Sequence, residues 1–585
     1  MDLTDQPERR LAFALGGPIV QGQLAFRLSA EASSRDGYIR NVTRKVGEDQ
    51  EHSATLKGKL LWVPSRLPGL QTKLSFIHAG RQGPYFSVYA RTDVPNFLRN
   101  PVATDNVANT TNLLFDAANL EAQYHFGNGV SLVSESIWSH VRETSQFDGD
   151  YGPANLAYSH QQRTYRTLTQ ELRLVANAPS LKGVVGFYFY DRDLASGTTS
   201  RTSVPTPIGT IATFLRGAGA SRSVADAIAQ AYGTALPSVS VDFSGSFPTH
   251  VRTYSAYGDV RVRLSSGIFL LAGFRGEHEI NETQTIQRSS FSGTFPNPAE
   301  FGPLAPVFNQ INAAVGGLVA QANGTLPIAH RTFDIFLPKI GAAIDLATDV
   351  EAALVVQKAY RSGGSSGNIA RGQAFAYAPE TTWNYEASIR SLLAGGKMRL
   401  NANAFYVDWR QQQVAVNFGL NAYDVNVVNA GKSHLYGFEF ETAYWFRPSW
   451  STYFSIGHTR TKFDQFIIQA SGAASNLSGS EFAFAPRWTV SAGTDIRLAN
   501  GWGGALNAAY SSRSFGTTGV NQSNYRVSPH ATVNLRLGHD AKTWSIHALC
   551  NNAFDGRHVV YKSPAENRAV ISAPRTVGLE IAARY

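Results

Sequence analysis

The sequence predicts an all-β fold, a transmembrane antiparallel β-barrel of about 22 strands. Three observations support this prediction: a two-residue alternation of apolar and polar residues, a regular exchange of short and long connections, and an unusual composition. Only 16% of residues are charged, whereas 11% are aromatic and 52 are glycine. This charge content is low for a soluble surface.

The alternation is clearest at the end of the chain. Counting back from Tyr585, every second residue to Val577 is apolar or alanine, and most of the residues between are small or polar. Segments 398–406, 502–511 and 525–538 repeat the pattern. Successive side chains of a strand point to opposite faces, so each segment has one apolar face. Strands of about ten residues cross a bilayer when tilted, and no 18-residue apolar run suggests a membrane helix.

The connections alternate in length along the chain. Short connections include 126–129, 264–267, 394–396 and 499–501, and long ones are 83–111, 196–248, 284–330, 413–431 and 466–481. Outer-membrane barrels show this asymmetry, with tight periplasmic turns and long extracellular loops. Trp450, Trp502 and Trp544 follow short turns, where an interfacial aromatic girdle is expected.

The strand count suggests that the chain begins inside the barrel. About 21 strands are recognisable, whereas bacterial single-chain barrels have even numbers. The first connection, 16–22, is short, so the strand before it runs inward and a preceding strand is expected ahead of Met1. The start of the chain also has no secretory signal. We therefore interpret residues 1–585 as one N-terminally truncated barrel domain.

Other function classes find little support. The formal charge of +9 is scattered through strands, so nucleic acid is not an expected partner. Glu277, His278 and Glu279 could suggest a metal, but on a strand His278 points away from both carboxylates. Neither HExxH nor GxSxG is present, and we predict no metal, no cofactor and no enzyme activity.

Two aromatic and arginine-containing segments are candidates for ligand binding. Aromatic rings and guanidinium groups suit a planar anionic ligand through stacking and charge-assisted hydrogen bonds. The same side chains would suit phosphate-rich lipid, and the sequence leaves both interpretations open. The candidates are Arg81, Tyr85, Phe86, Tyr89, Arg91, Tyr360 and Arg361.

Two long loops contain helical patterns. In 221–233, Ser223 is an expected N-cap with Asp226 three residues on, and in 306–322 apolar residues form one stripe. The helices would form a lid over ligand, or simply pack together and order the long loops. The two roles are compatible.

Several stretches together resemble the TonB-dependent receptor family, especially its siderophore-receptor-like branch. They include LAFRLSAEASSRDGYIRN (24–41), FLPKIGA (336–342), AYRSGG (359–364), PETTWNYEASIRS (379–391), NAGKSHLYGFEFE (429–441) and APRTVGL (573–579). The similarity extends over nearly all of the barrel. The family's N-terminal plug and TonB box have no counterpart in residues 1–585.

The resemblance implies an active transporter in the Gram-negative outer membrane that takes up a ferric siderophore or similar scarce nutrient. Implied partners are outer-membrane lipid and lipopolysaccharide, the TonB–ExbB–ExbD complex acting through the plug, and the barrel-assembly machinery. Tyr585 resembles the terminal aromatic that this machinery reads, and it would also suit the aromatic girdle. A monomer is expected from family precedent.

Two alternatives remain at this stage. The first is a passive diffusion channel whose lumen filters solutes. The second is a surface-binding or adhesion barrel that uses loops 196–248 and 284–330.

Overall fold

The protein, seen in a computed structural model, is a closed barrel of 22 antiparallel strands. The structure describes residues 2–4, 8–85, 88–321, 323–368, 373–417, 425–470, 473–518, 522–563 and 567–584. In chain order the barrel strands are β1 Asp2–Thr4, β2 Glu8–Val20, β3 Leu24–Arg35, β4 Glu51–Trp62, β5 Leu70–Gly83, β6 Thr110–Gly127, β7 Val130–Asp148, β8 Ala157–Asn177, β9 Leu181–Pro205, β10 Thr249–Ser265 and β11 Ile268–Thr283. They continue as β12 Ala329–Ala347, β13 Val350–Arg361, β14 Glu380–Leu393, β15 Met398–Arg410, β16 Lys432–Arg447, β17 Trp450–Gln465, β18 Trp488–Arg497, β19 Trp502–Ser511, β20 His530–Asp540, β21 Trp544–Asn551 and β22 Thr576–Ala583.

Strand β1 closes the barrel and corrects the strand count. Asp2 lies opposite Arg10 of β2 on one side and Glu580 of β22 on the other. The described residues thus form 22 barrel strands rather than about 21, and the position expected ahead of Met1 is occupied by β1. Three residues are too few to show an alternating pattern, which is why the sequence did not reveal this strand.

The two faces of the barrel wall differ in polarity. Large apolar side chains share one face and are exposed there, for example Phe76 at 43%, Trp138 at 45% and Leu168 at 46%. The opposite face carries polar side chains such as Glu135 and Glu171, which are register partners. The apolar face is the one that lipid covers, and the polar face lines the lumen.

The two rims differ as predicted. Short turns join alternate strand pairs at one rim, and Trp450, Trp502 and Trp544 each begin a strand directly after such a turn. Their side chains are 40–49% exposed. The other rim carries the long loops, several of which form small sheets of their own.

Within the described ranges, three α-helices lie in the two longest loops, α1 Ile208–Gly217, α2 Arg222–Ala235 and α3 Ala305–Ala320, and a 3-10 helix, Pro298–Leu304, precedes α3. They share one core in which Tyr232 and Phe308 are fully buried. The N-cap of α2 is Ser221, not the predicted Ser223, because the Ser221 hydroxyl accepts from the Val224 amide. Among the described residues, no helix combines the length and apolar character needed to span a membrane.

Candidate functional site

Arg81 lies on the lumen face at the outer end of β5. Its guanidinium binds Glu51 of β4 through two hydrogen bonds, Nη2 to Oε2 at 2.9 Å and Nε to Oε1 at 3.1 Å. Arg35 of β3 donates to the same carboxylate at 3.4 Å. Two guanidinium groups therefore share one carboxylate at the mouth of the lumen.

Tyr85 follows directly after β5 and extends this surface. Its ring stacks on Phe147 of β7 with 5.0 Å between centroids and an interplanar angle of 11°. Its hydroxyl donates to Gln161 Oε1 of β8 at 3.2 Å, and Arg163 Nη2 donates to the same oxygen at 2.8 Å. Phe86 lies outside the described residues.

Tyr89 belongs to a different cluster, within the outer loops. Its ring meets Tyr151 edge-on at 4.8 Å and Tyr561 at 6.1 Å. The Arg568 guanidinium stacks over Tyr151 at 4.3 Å from the ring centroid and is 7% exposed. These contacts join loops from both ends of the chain, so the Tyr89 ring contributes to loop structure.

Arg91 takes part in the same loop assembly. It lies opposite Arg568 in a small antiparallel sheet, and its Nε donates to Asp93 Oδ1 at 2.9 Å. The Arg91 guanidinium, which was predicted to bind ligand, is thus neutralised by Asp93, two residues away. The sequence analysis missed Tyr151, Tyr561 and Arg568, because no local pattern connects residues that meet only through folding.

Tyr360 and Arg361 lie elsewhere on the wall, at the outer end of β13. The Tyr360 hydroxyl donates to Glu277, which also accepts from Arg275 Nη2 at 2.6 Å. Arg361 Nε pairs with Glu380 Oε1 at 2.8 Å. Seven strands separate β5 from β13, so the predicted candidates do not form one site.

The Glu277–Glu279 segment does not assemble as a metal site. His278 Nδ1 lies 2.7 Å from Asp334 on the outward face, whereas Glu277 binds Arg275 and Tyr360. Across the described ranges, no group of three or more His, Cys, Asp or Glu is arranged to hold a metal ion. Tyr585 lies outside the described residues.

A buried acidic cluster holds two outer loops together and was also missed. Asp105 is 1% exposed, and Asn41 Nδ2 donates to its backbone carbonyl at 2.8 Å. Burial, followed by the nearby charges of Glu48 and Asp148, raises the pKa of Asp105 to about 7. Carboxylates that approach one another only after folding leave no spacing signal in the sequence.

Comparison with known proteins gives a consistent result. The model of the family described as "TonB dependent receptor-like, beta-barrel" matches residues 65–553. The ferric yersiniabactin uptake receptor FyuA from Yersinia pestis superposes with a TM-score of 0.76 at 18% identity, covering 99% of this chain and 78% of that chain. The siderophore receptor PiuA from Acinetobacter baumannii gives 0.70 at 10% identity, with 100% and 80% coverage. The ferric citrate transporter FecA gives 0.67 at 13%, with 100% and 77% coverage.

The match to the family model covers most of the chain, and the solved structures share its whole barrel. This confirms the resemblance seen in the sequence. The chain belongs to the TonB-dependent receptor β-barrel family, whose function is TonB-dependent transport across the outer membrane.

Proposed function

We propose that this barrel takes up a ferric siderophore, or a similarly anionic metal chelate, and that the ligand contacts the wall formed by Arg35, Arg81 and Tyr85. The observation that carries the proposal is the sharing of Glu51 by two guanidinium groups. Two of the similar structures are a ferric yersiniabactin uptake receptor and a ferric citrate transporter, and this supports the ligand class.

The geometry gives this wall both elements of anion recognition. A ligand carboxylate or phenolate at the mouth of the lumen can accept hydrogen bonds from one of the two guanidinium groups, while the other remains paired with Glu51. Such charge-assisted bonds to arginine are strong and directional. The Tyr85 ring, stacked on Phe147, adds an aromatic side chain beside these guanidinium groups, which suits an aromatic chelating group.

The other candidate arginines are less suited to this role. Arg91 and Arg361 each have a nearby carboxylate partner, Asp93 and Glu380. An anion that recruited either guanidinium would leave that carboxylate uncompensated, and Glu380 is only 4% exposed.

Binding measurements on purified protein test the proposal. Quenching of tryptophan fluorescence would be titrated with a ferric catecholate, a ferric hydroxamate, ferric citrate and cobalamin. We expect R81Q and Y85A each to weaken binding of the preferred ferric chelate about tenfold, on the order of one charge-assisted hydrogen bond or stacked ring.

The matched control is R497Q. Arg497 is an exposed arginine at the short-turn rim, at the opposite end of the barrel, and pairs with Asp495 at 3.2 Å. The R497Q variant should bind each chelate as the native protein does. Equal affinity of R81Q and native protein for every chelate would refute the assigned wall, and preference for neutral ligands would refute the substrate class.

Energised transport in this family acts through a plug, and we propose that a plug outside residues 1–585 serves this barrel. The intact mass of the mature protein from native outer membranes tests this. A mass well above 63.5 kDa is expected, and a mass equal to this chain would favour a passive channel. Planar-bilayer recordings provide a second test, because a plugged receptor should show almost no steady conductance.

The remaining partner assignments are also proposals. Coupling to TonB–ExbB–ExbD would go through the plug, and the barrel would act as a non-catalytic monomer in the outer membrane. The barrel-assembly machinery would recognise Tyr585, and deletion of that residue should lower the yield of folded barrel. An adhesion role would instead predict that deleting the α1–α2 loop abolishes surface binding and leaves uptake intact.

A further inference from the structure

Tyr85 lies beyond the last residue of β5 that is paired in the barrel wall. The register of β5 with β6 ends at Gly83, opposite Thr111, so the ladder of backbone hydrogen bonds no longer fixes the chain at Tyr85. The direction of the Tyr85 side chain therefore depends on its side-chain contacts. Those described above come from β7 and β8, the second and third strands along the wall from β5.

The residues that contact Tyr85 lie on the lumen face. On β7, Phe147 is an even number of positions from Glu135, which lines the lumen, and on β8 Gln161 stands in the same relation to Glu171. The Phe147 ring stacks on Tyr85 with 5.0 Å between ring centroids. Gln161 Oε1 accepts from the Tyr85 hydroxyl at 3.2 Å. Phe147 thus holds the plane of the Tyr85 ring, and Gln161 holds its far end.

Gln161 is itself fixed by a charged neighbour. Arg163 Nη2 donates to Gln161 Oε1 at 2.8 Å, and Arg163 Nη1 donates to Glu143 Oε1 at 3.4 Å. Arg163 of β8 and Glu143 of β7 are register partners. The guanidinium group is planar and its N–H groups point in fixed directions, so it holds both oxygens in one arrangement.

Buried hydroxyl groups anchor the other end of this network. The Ser145 hydroxyl donates to Glu143 Oε1 at 2.9 Å, and Ser145 is 1% exposed. Thr111 Oγ1 of β6 lies 2.9 Å from Ser145 Oγ, so the Thr111 hydroxyl donates to that oxygen. Hydrogen bonds therefore connect β6, β7 and β8 to Tyr85 in one chain. A chain of satisfied, partly buried hydrogen bonds makes an arrangement of side chains rigid.

We infer that Phe147, Gln161 and Arg163 are positioning residues that make the wall select aromatic ferric chelates over aliphatic ones. The inference rests on the proposed function, in which Arg81 and Tyr85 contact the ligand. A ring that is already held in place loses less conformational freedom when it packs against a ligand. An aromatic chelating group benefits from this, because contacts between rings depend on their geometry. An aliphatic chelate such as ferric citrate has no ring and uses only the guanidinium groups.

Affinities measured by tryptophan quenching on the purified full chain test this inference. The probes are the ferric complex of catechol, which has aromatic rings, and ferric citrate, which has none. Q161L keeps the size of the side chain and removes the acceptor for the Tyr85 hydroxyl. It should weaken binding of the catechol complex about fivefold and change binding of ferric citrate by less than about twofold. F147L, which removes the second ring, should have the same selective effect.

The matched control is Q162L, on the same strand. Gln162 is exposed on the outward face, so this variant should keep the native ratio of the two affinities. A double-mutant cycle separates positioning from a general loss of structure. Because Gln161 acts through Tyr85, Q161L should have no further effect on the catechol complex in a Y85A background. Q161E keeps an acceptor for the Tyr85 hydroxyl and should retain the native ratio.

A heat-modifiable gel shift establishes that each variant is folded, and F147L replaces Q161L if the latter does not fold. Two results would overturn the inference. One is a native affinity ratio in both Q161L and F147L, and the other is a full effect of Q161L in the Y85A background. If R81Q weakens binding of both complexes in either case, the proposed function stands without this inference. If R81Q weakens binding of neither, the proposed wall is wrong and the inference fails with it.

Discussion

Replacement of Asp105 by asparagine should remove a pH dependence from the outer loops. Asp105 is buried at the junction of two loops, where Asn41 of one loop donates to the Asp105 carbonyl of the other. Its pKa is raised from 3.8 to about 7, mainly by burial and next by Glu48 and Asp148, against a smaller opposing effect of Arg44. The ionised form is therefore the unfavourable one in the ordered loop.

The size and sign of the effect follow from the two pKa values. Below about pH 4 the carboxyl group is protonated whether the loop is ordered or open, and the ordered state bears no penalty. Between about pH 4 and 7 the open loop releases the proton first, so the ordered loop loses stability as pH rises. Above pH 7 the ordered loop has lost about three pKa units of stability, or ~4 kcal/mol. About two of these units, ~2.7 kcal/mol, are lost between pH 5 and 8.

Hydrogen exchange measured by mass spectrometry provides the assay. Peptides covering 36–50 and 102–109 would be followed at pH 5 and pH 8, with intrinsic exchange rates corrected for pH. In the native protein, amide protection should be up to about 100-fold lower at pH 8, since 1.4 kcal/mol corresponds to tenfold. In D105N most of this difference should disappear, with protection at pH 8 rising towards the pH 5 value.

The control variant is D93N, in the same loop. The pKa of Asp93 is lowered, chiefly by its hydrogen bond with Arg91, so this carboxylate is ionised throughout the pH range. Its replacement should leave the pH dependence unchanged. Equal protection of native protein at pH 5 and 8, or a D105N variant as pH-sensitive as the native protein, would refute the reasoning.

Three further predictions concern the barrel wall, the helices and the last outer loop. G437A should lower the yield of folded, heat-modifiable barrel, because an added Cβ would lie 1.9 Å from a carbonyl oxygen of β17. The control G276A should fold normally, because a Cβ at Gly276 would meet open space. F308A should destabilise the helical core by about 3–5 kcal/mol and speed proteolysis of that loop, while L318A, exposed at 41%, should not. In the last outer loop, burial and the stacked His530 ring lower the pKa of His558. The loop should therefore lose order as pH falls below about 6.5. Hydrogen exchange at pH 5.5 and 7.5 should show this loss in the native protein and a smaller one in H558Q.

The sequence predicted the barrel well because its signals are local. Alternation over ten residues and the length of a turn depend only on neighbouring positions, so Trp502–Ser511 and the start of β15 at Met398 were correct as predicted. Local signals failed where a segment was short and where the exact start of a helix had to be placed. Strand β1 has too few residues, and the cap of α2 is Ser221, two residues before the predicted Ser223.

The candidate site shows the limit of such reasoning. The types of residue expected to bind an anion are present, and the sequence placed Arg81 and Tyr85 in one loop segment. It could not show that Arg35 shares the Glu51 carboxylate with Arg81, nor that Tyr89 packs against Arg568 and Tyr151. Those relations join strands and loops that are far apart along the chain.

The sequence by itself determined that the chain forms a membrane barrel with one rim of turns and one rim of loops, and it indicated the family. Period, turn length and composition are properties of short segments, and a bilayer imposes them on any spanning strand. Only the tertiary structure decided which charges are neutralised and which remain available. Cross-strand register brings Arg35 and Arg81 to the same Glu51 carboxylate and pairs His78 with Asp116, and register is set by the closure of the whole sheet.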